Sequence, residues 1–225
     1  MEKTREEMIQ LYASYGLRYY TPNEEKANTI SHVLGAIIAL VGFIVLMTFI
    51  KGPIKYATAF IAFIGPFVVY TISSIYHAID KLEIKAKWRR VDHANVAFII
   101  LSSAIGMLLG LQDHIYNWVV LGLSSGVIML NYVLCIVVGE RYFKVENIIE
   151  LAISGLFVGA YFINKSLMSL PVKLFYIIGG FTCLLGFFFY GRKKLYMHTT
   201  FHIIMVIGTT LCYLATFFIL TNFDI

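Results

Sequence analysis

Residues 29–50 read TISHVLGAIIALVGFIVLMTFI, an apolar run in which His32 is the only ionisable side chain. A helix of about 20 residues crosses the roughly 30 Å hydrocarbon core of a bilayer, so a run of this length predicts a membrane-spanning helix. Six further runs of the same kind follow it. The seven predicted spans are 29–50, 56–79, 92–111, 116–138, 148–163, 172–190 and 197–221.

The composition of the whole chain agrees with this pattern, because 59% of its 225 residues are hydrophobic and only 14% are charged. Soluble domains contain about 25% charged residues. No polar stretch is long enough to form a separate aqueous domain. We therefore predict an all-α integral membrane protein, a seven-transmembrane helix bundle over residues 29–221. Residues 1–28 form a cytoplasmic or interfacial segment in which Met8, Leu11, Tyr12 and Tyr15 have the spacing of a short helix.

The basic residues indicate how the bundle is oriented. The formal net charge is +5, but Lys and Arg lie in short loops between the apolar runs, a pattern typical of membrane orientation and not of nucleic-acid binding. Nucleic acid is therefore excluded as a partner. One side of the membrane carries only four of the 18 basic residues, Lys51, Lys55, Lys165 and Lys173. The positive-inside rule predicts a cytoplasmic N-terminus and an external C-terminus. We expect a multi-pass protein of the cell (plasma) membrane.

Polar side chains inside predicted spans mark a candidate site. An ionisable group at membrane depth costs about 2.5–3.5 kcal/mol on insertion scales, so each one suggests a function. Here they gather toward the cytoplasmic face. They are His32 at the start of the first span, Ser73 and His77 at the end of the second, Asp92 and His93 at the start of the third, and His198 and His202 at the start of the seventh.

The spacing of the histidines predicts a metal site. His198 and His202 are four residues apart, so they share one helix face, and His77 lies at a similar depth. Three imidazoles with a fourth position left for water are typical of catalytic zinc. We therefore predict Zn²⁺ bound by His77, His198 and His202. Interfacial imidazoles that reach toward water explain the same spacing without a metal, and this alternative stays open.

Two further residues are predicted to be catalytic. Asp92 arrives at the depth of the histidines, where a carboxylate can take a proton from water as general base. Ser73 lies one turn before His77 on the same face, where its hydroxyl can bond water or a substrate carbonyl. The alternatives are a helix N-cap for Asp92 and a hydroxyl bonded to its own backbone for Ser73.

An outer polar shell is predicted on the first helix. Glu25, Asn28 and His32 occur at positions i, i+3 and i+7, which places them on one face of a helix entering the membrane. Residues behind metal ligands orient them, so these three suit such a role. A polar start of an interfacial helix explains the same pattern equally well.

Taken in order, these residues form a recognisable set. The chain contains Glu25-x-x-Asn28 with His32, then Ser73-x-x-x-His77, Asp92-His93 and His198-x-x-x-His202. From Glu24 onward the chain resembles the hemolysin III family, the bacterial branch of the progestin and adipoQ receptor superfamily. The resemblance implies a heptahelical bundle with a cytoplasmic N-terminus, zinc on His77, His198 and His202, and a water near Asp92.

The resemblance also implies a choice of functions. Kinship with membrane alkaline ceramidases implies a metal-dependent hydrolase that cleaves a lipid amide or ester, with membrane lipid as the substrate. The family name implies instead a cytolytic, pore-forming hemolysin. A third alternative is a regulator or receptor in membrane homeostasis that uses zinc structurally. Peptidase chemistry is disfavoured, because Thr199 follows His198 where HExxH metalloproteases carry a glutamate.

Overall fold

The computed structural model describes residues 4–111, 114–192 and 194–222. Seven of its helices are long and apolar enough to cross a membrane, which confirms the predicted seven-helix bundle. The helices are α1 (Arg5–Ser14), α2 (Pro22–Phe49), α3 (Pro53–Ala78), α4 (Leu82–Leu109), α5 (Ile115–Val138), α6 (Phe143–Asn164), α7 (Leu170–Tyr190) and α8 (Met197–Thr221).

Two helices begin earlier than the apolar runs predict. Helix α2 begins at Pro22 instead of residue 29, because the Thr21 hydroxyl accepts from the backbone N–H of Glu24 and the Glu24 carboxylate accepts from that of Thr21. Helix α4 begins at Leu82 instead of residue 92. Hydropathy locates the hydrocarbon crossing and not the polar turns before it. Asp92 therefore lies well inside α4, and its interpretation as an N-cap is wrong.

The N-terminal segment contains the short helix that its residue spacing predicts. Helix α1 begins after Thr4, whose side chain caps the backbone N–H of Glu7. After it the chain runs through residues 15–21 to the start of α2. The position of α1 relative to a membrane stays a prediction. Lys3 and Lys193, two of the basic residues counted for orientation, lie outside the described residues.

The packing of the helices separates an apolar half from a polar half. Helix α4 is central and contacts α3, α5, α6 and α8, while α2 packs against α3 and α8. The largest buried apolar cluster joins the second half of α4 to α5, α6 and α8, around Met107, Ile128, Phe157 and Ala215. The first half of α4 faces buried polar side chains of α2, α3, α6 and α8 instead. The candidate site lies in this polar half.

Candidate metal centre

Three buried histidines from three helices converge at the polar end of the bundle. They are His32 on α2, His77 on α3 and His202 on α8, each less than 7% exposed. One ring nitrogen from each lies within 4.8 Å of the other two. Imidazole nitrogens at this separation could hold one metal ion.

His198 joins this group from the preceding turn of α8. Its Nε2 atom lies 3.0 Å from Nε2 of His202, and its ring centroid lies 5.4 Å from that of His77. The structure thus brings together His77, His198 and His202, the three predicted ligands. It also places His32, predicted as part of an outer shell, directly against His202 with 3.8 Å between ring centroids.

The nitrogen atoms of the cluster fit a metal ion. Nδ1 of His32 and Nδ1 of His198 are buried and form no hydrogen bond to any described residue. A buried polar atom without a partner costs about 1–3 kcal/mol, which a metal bonded to that Nδ1 atom would offset. A metal held by Nε2 of His198 would leave its Nδ1 unpaired, because each ring offers one nitrogen to the metal. Tetrahedral zinc with bonds of 2.0–2.1 Å holds its ligand nitrogens about 3.4 Å apart, close to the separation of His198 and His202.

Glu25 orients His77 from behind. Its Oε2 atom lies 2.6 Å from Nδ1 of His77, so the carboxylate accepts the Nδ1 proton and leaves Nε2 free as a ligand atom. Asn28, one turn further along α2, has its Nδ2 3.5 Å from the same nitrogen and accepts a hydrogen bond of 2.6 Å from the Thr199 hydroxyl. These contacts link α2 to both histidine-bearing helices.

Lys85 also belongs to this arrangement, although it is not among the site residues that the sequence predicts. Its side chain is 1% exposed, and its ammonium lies 2.9 Å from Oε1 of Glu25. It donates to the backbone carbonyls of Tyr76, His77 and Ile79 at 3.0–3.1 Å. Carbonyls at the end of a helix lack regular intrahelical donors, and here only that of Tyr76 also accepts from a described backbone N–H, that of Ile79, at 3.4 Å. One ammonium therefore caps α3 and holds the carboxylate behind His77.

Ser73 and Asp92, the two predicted catalytic residues, are in contact. The Ser73 hydroxyl, buried on α3, donates a hydrogen bond to Oδ1 of Asp92 on α4. Ser73 lies one turn before His77, so the pair is adjacent to the histidine cluster. The hydroxyl fixes one carboxylate oxygen of Asp92 and leaves the other available to accept a proton.

A cavity of about 290 Å³ connects these groups. Its polar wall includes Ser73, Asp92, His32, His198 and His202. Other charged or polar residues also line it, namely Arg18, Arg89, His93, Asn147 and Glu150. The rest of the lining is mainly apolar or aromatic and comes from α3, α4, α7 and α8. These residues include Val69, Val96, Ile99, Phe187, Phe201 and Met205. A cavity lined by both polar and apolar side chains suits an amphipathic ligand.

The segment before α2 covers the cavity. Tyr20 is buried, and its ring stacks on His198 with centroids 4.8 Å apart. Burial raises the pKa of the Tyr20 phenol although the Arg18 guanidinium opposes this shift, so the ring stays neutral at physiological pH. Arg18 donates to the carbonyls of Tyr190 and Arg192, and Arg89 donates to that of Gly16. These bonds fasten the segment to α4 and α7.

A second polar cluster lies across the cavity from the histidines. Nδ1 of His93 is 3.2 Å from Oε2 of Glu146, and its Nε2 is 3.4 Å from the Tyr190 hydroxyl. Glu150 lies one turn after Glu146 on α6, and both carboxylates are buried. The signal for this cluster was present in the sequence, because Glu150 falls inside the predicted span 148–163.

The fold and the site together define a class. Seven membrane-spanning helices closed around a buried histidine cluster make this a multi-pass helical membrane protein with a candidate metal centre. The model of the family described as haemolysin-III related matches residues 20–213. The chain belongs to this family, as the ordered motifs predict. The matched region includes every residue of the histidine cluster and of the Ser73–Asp92 pair.

Proposed function

We propose that this protein is a zinc-dependent hydrolase of the cell membrane that cleaves an acyl amide or ester bond of a membrane lipid. One observation carries the proposal. The Ser73–Asp92 pair lines one cavity with His32, His198 and His202, and apolar and aromatic side chains form much of the rest of its lining. Hydrolysis of a lipid needs these elements together: ligands for a metal, a proton acceptor and an apolar surface for an acyl chain.

We assign the zinc ligands to His77, His198 and His202. The 3.0 Å between the Nε2 atoms of His198 and His202 supports this set, as does the fixed orientation of His77 by Glu25. The competing set replaces His198 with His32, because His32, His77 and His202 have ring nitrogens mutually within 4.8 Å. The zinc content of single variants distinguishes the two sets, because stoichiometric binding is lost only when a residue that binds zinc directly is replaced. We expect His198→Ala to lose zinc and His32→Ala to retain most of it.

The side chains have distinct roles in this proposal. Zinc, when bound, supplies Lewis acidity that polarises a carbonyl and activates water near neutral pH. Asp92 accepts the proton of the attacking water and returns it to the leaving group. The Ser73 hydroxyl holds the Asp92 carboxylate in place. Tyr20 and the segment around it exclude bulk water from the cavity.

The test uses purified full-length protein in nonionic detergent. We expect about one zinc per chain by elemental analysis and release of fatty acid from N-acyl lipid amides or acyl esters. His202→Ala should lose zinc and cleavage together, whereas Asp92→Asn should keep zinc and lose cleavage. Asp80→Asn is the matched control, because Asp80 is exposed and directly follows Ile79, the C-cap of α3. Cleavage that persists in His202→Ala would refute the hydrolase.

The second candidate function is a regulator or receptor whose fold the metal stabilises. It is favoured by one observation, that the clustered histidines come from α2, α3 and α8 and so tie three helices together. In this case chelation lowers the unfolding temperature of the wild-type protein, and no lipid is cleaved under any condition. Lipid cleavage that requires both zinc and Asp92 would support the hydrolase over the regulator or receptor.

A further inference from the structure

Glu150 presents a buried carboxylate oxygen that nothing satisfies. The residue is 3% exposed, and its Oε1 atom forms no hydrogen bond to any described residue. Its side chain lines the same cavity as the histidines. A buried carboxylate without a partner is among the most costly arrangements in a protein. The position therefore requires a positively charged or hydrogen-bond-donating partner.

Neighbouring cationic side chains are engaged elsewhere. His93 pairs with Glu146 at 3.2 Å, and Glu146 lies one turn before Glu150 on α6. The Arg89 guanidinium lies 3.5 Å from Glu140 and donates to the Gly16 carbonyl. The Arg18 guanidinium donates to two backbone carbonyls. Within residues 4–111, 114–192 and 194–222, no ion pair includes Glu150. The cavity thus contains a buried acidic side chain with an oxygen that a cationic or hydrogen-bond-donating ligand would satisfy.

The surroundings of Glu150 favour an organic cation over a metal ion. A metal needs several ligand atoms at close range, and in the described part of the chain the side chains that converge in this way are His32, His77 and His202. The cavity that Glu150 lines is also lined by aromatic rings, including Tyr190 and Phe187. The Tyr190 hydroxyl lies 3.4 Å from His93, which pairs with Glu146 one turn before Glu150. Aromatic faces attract ammonium groups, most strongly where water is excluded.

The cavity also reaches the outer surface of the bundle near Glu150. Asn147 on α6 and Phe187 on α7 both line it, and both are exposed on the outside of their helices. Exposed large hydrophobic residues such as Leu184 and Phe188 surround this part of α7. An alkyl chain leaving the cavity between α6 and α7 would therefore meet apolar side chains of a helix that is apolar enough to cross a membrane.

We propose that Glu150 binds the ammonium group of an amine-bearing ligand, with the group enclosed between the Glu150 carboxylate and the ring of Tyr190. The ligand is an organic amine, carried either by a membrane amphiphile or by a small soluble molecule. The apolar exit between α6 and α7 suits the amphiphile. Binding at Glu150 requires no metal, but any catalytic role of this site rests on the proposed hydrolysis.

The probe is a series of ligands with one chain and different head groups. Dodecylamine, dodecanol and dodecanoate are added to wild-type protein in maltoside micelles, and affinity is obtained from the ligand-dependent rise in unfolding temperature. We expect dodecylamine to bind at least about tenfold more tightly than dodecanol, and dodecanoate to bind weakest. Equal affinity for amine and alcohol would overturn the proposal. This comparison needs no variant.

Glu150→Gln removes the charge and keeps the shape of the side chain. We expect dodecylamine affinity to fall about tenfold or more, with dodecanol affinity unchanged. Glu83→Gln is the matched control, because Glu83 is an exposed carboxylate in the first turn of α4. Unchanged amine affinity in Glu150→Gln would refute the site. Butylamine bound as tightly as dodecylamine would keep the site and identify a soluble amine as its ligand.

The test of the amine site at Glu150 and the test of the proposed hydrolase can fail independently. If wild-type protein binds zinc and dodecylamine but cleaves no lipid, the hydrolase fails and the amine site stands. If His202→Ala loses zinc and cleavage while Glu150→Gln keeps full amine affinity, the hydrolase stands and the amine site fails.

Discussion

The histidine end and the Glu150 end of the cavity differ in what supports their unpaired polar atoms. At the histidine end Nδ1 of His32 and Nδ1 of His198 have no partner among the described residues, but the side chains behind the histidines are bonded between helices. Around the histidines, Glu25, Asn28 and Lys85 each contact at least two partners on neighbouring helices. Around Glu150, one carboxylate oxygen has no partner among the described residues. Bonded side chains behind the ligand atoms fix the orientation of those atoms, whereas an unmatched carboxylate favours a ligand that completes it. The contrast indicates a preformed centre at one end and a ligand-dependent position at the other.

Helix packing explains the contrast. Helices α2, α3 and α8 pack against one another, so residues on all three reach the same point. Helix α6 packs mainly against α4 and α5, which leaves the side toward α7 less enclosed. Polar residues can therefore bond across helices at the histidine end, whereas Glu150 faces a cavity. The following predictions test this difference.

The largest effect is expected from removing a histidine of the cluster. His202→Ala removes one ligand in either assignment, so zinc affinity should fall by more than the 10- to 100-fold loss that follows changes behind a ligand. His93→Ala, at the other end of the cavity, should retain zinc. Both are measured by elemental analysis after dialysis against a graded chelator series. If both variants lost the same amount of zinc, the two ends of the cavity would not differ in their contribution to metal binding.

The next effect concerns the free energy of unfolding. Lys85→Met keeps the length of the side chain but leaves Glu25 and three backbone carbonyls without their donor. Breaking a buried ion pair by removing one partner costs about 3–5 kcal/mol. We expect a loss of about 3 kcal/mol in detergent unfolding experiments. Lys87→Met, at an exposed position on the same helix, is the control and should change little. A Lys85 variant as stable as this control would show that the contacts contribute nothing.

A smaller effect is expected from the carboxylate behind His77. Glu25→Gln keeps the shape of the side chain but removes the charge that accepts the Nδ1 proton. Zinc affinity should fall about 10- to 100-fold while the bundle stays folded. A competition titration with a chromophoric chelator measures this change. Glu83→Gln should have no effect, and an unchanged affinity in Glu25→Gln would exclude the orienting role.

The smallest effect concerns the aromatic cover. Tyr20→Leu removes the ring stacked on His198, and aromatic contacts of this kind contribute about 0.5–1.5 kcal/mol. We expect metal-free protein to lose about 1 kcal/mol of unfolding free energy. Tyr15→Leu, at a residue that is 37% exposed, provides the comparison. If both variants lose the same amount, stacking on His198 contributes nothing specific.

Much of the fold was predictable because hydropathy alone locates the spans. The run over residues 29–50 and its six counterparts correspond to seven helices of the structure. The helix starts were not predictable in this way, since the polar turns at Pro22 and Leu82 lie outside the apolar runs. This error mattered at Lys85, which was assigned to a basic loop although it lies buried in the first turn of α4.

The candidate site was predictable only in part. His77, His198 and His202 were grouped because the topology places them at one depth. The closeness of His32 to His202 depends on how α2 is rotated against α3 and α8, and the largely apolar sequence of α2 does not determine that rotation. Glu150 carried a readable signal, an acidic side chain within an apolar span. Its distance from the histidines along the chain concealed that both line one cavity.

The way the histidine cluster is assembled has a consequence for biogenesis. His32 and His77 lie on neighbouring helices, but His198 and His202 arrive on α8, after α4 to α7 have been synthesised. While the ribosome is still producing those four helices, two imidazoles at most are in place. Capture of the proposed zinc would then be a late event that follows membrane insertion of α8. A chain interrupted before α8 would reach the bilayer without the complete histidine cluster, and occupancy of the proposed zinc site would report complete translation.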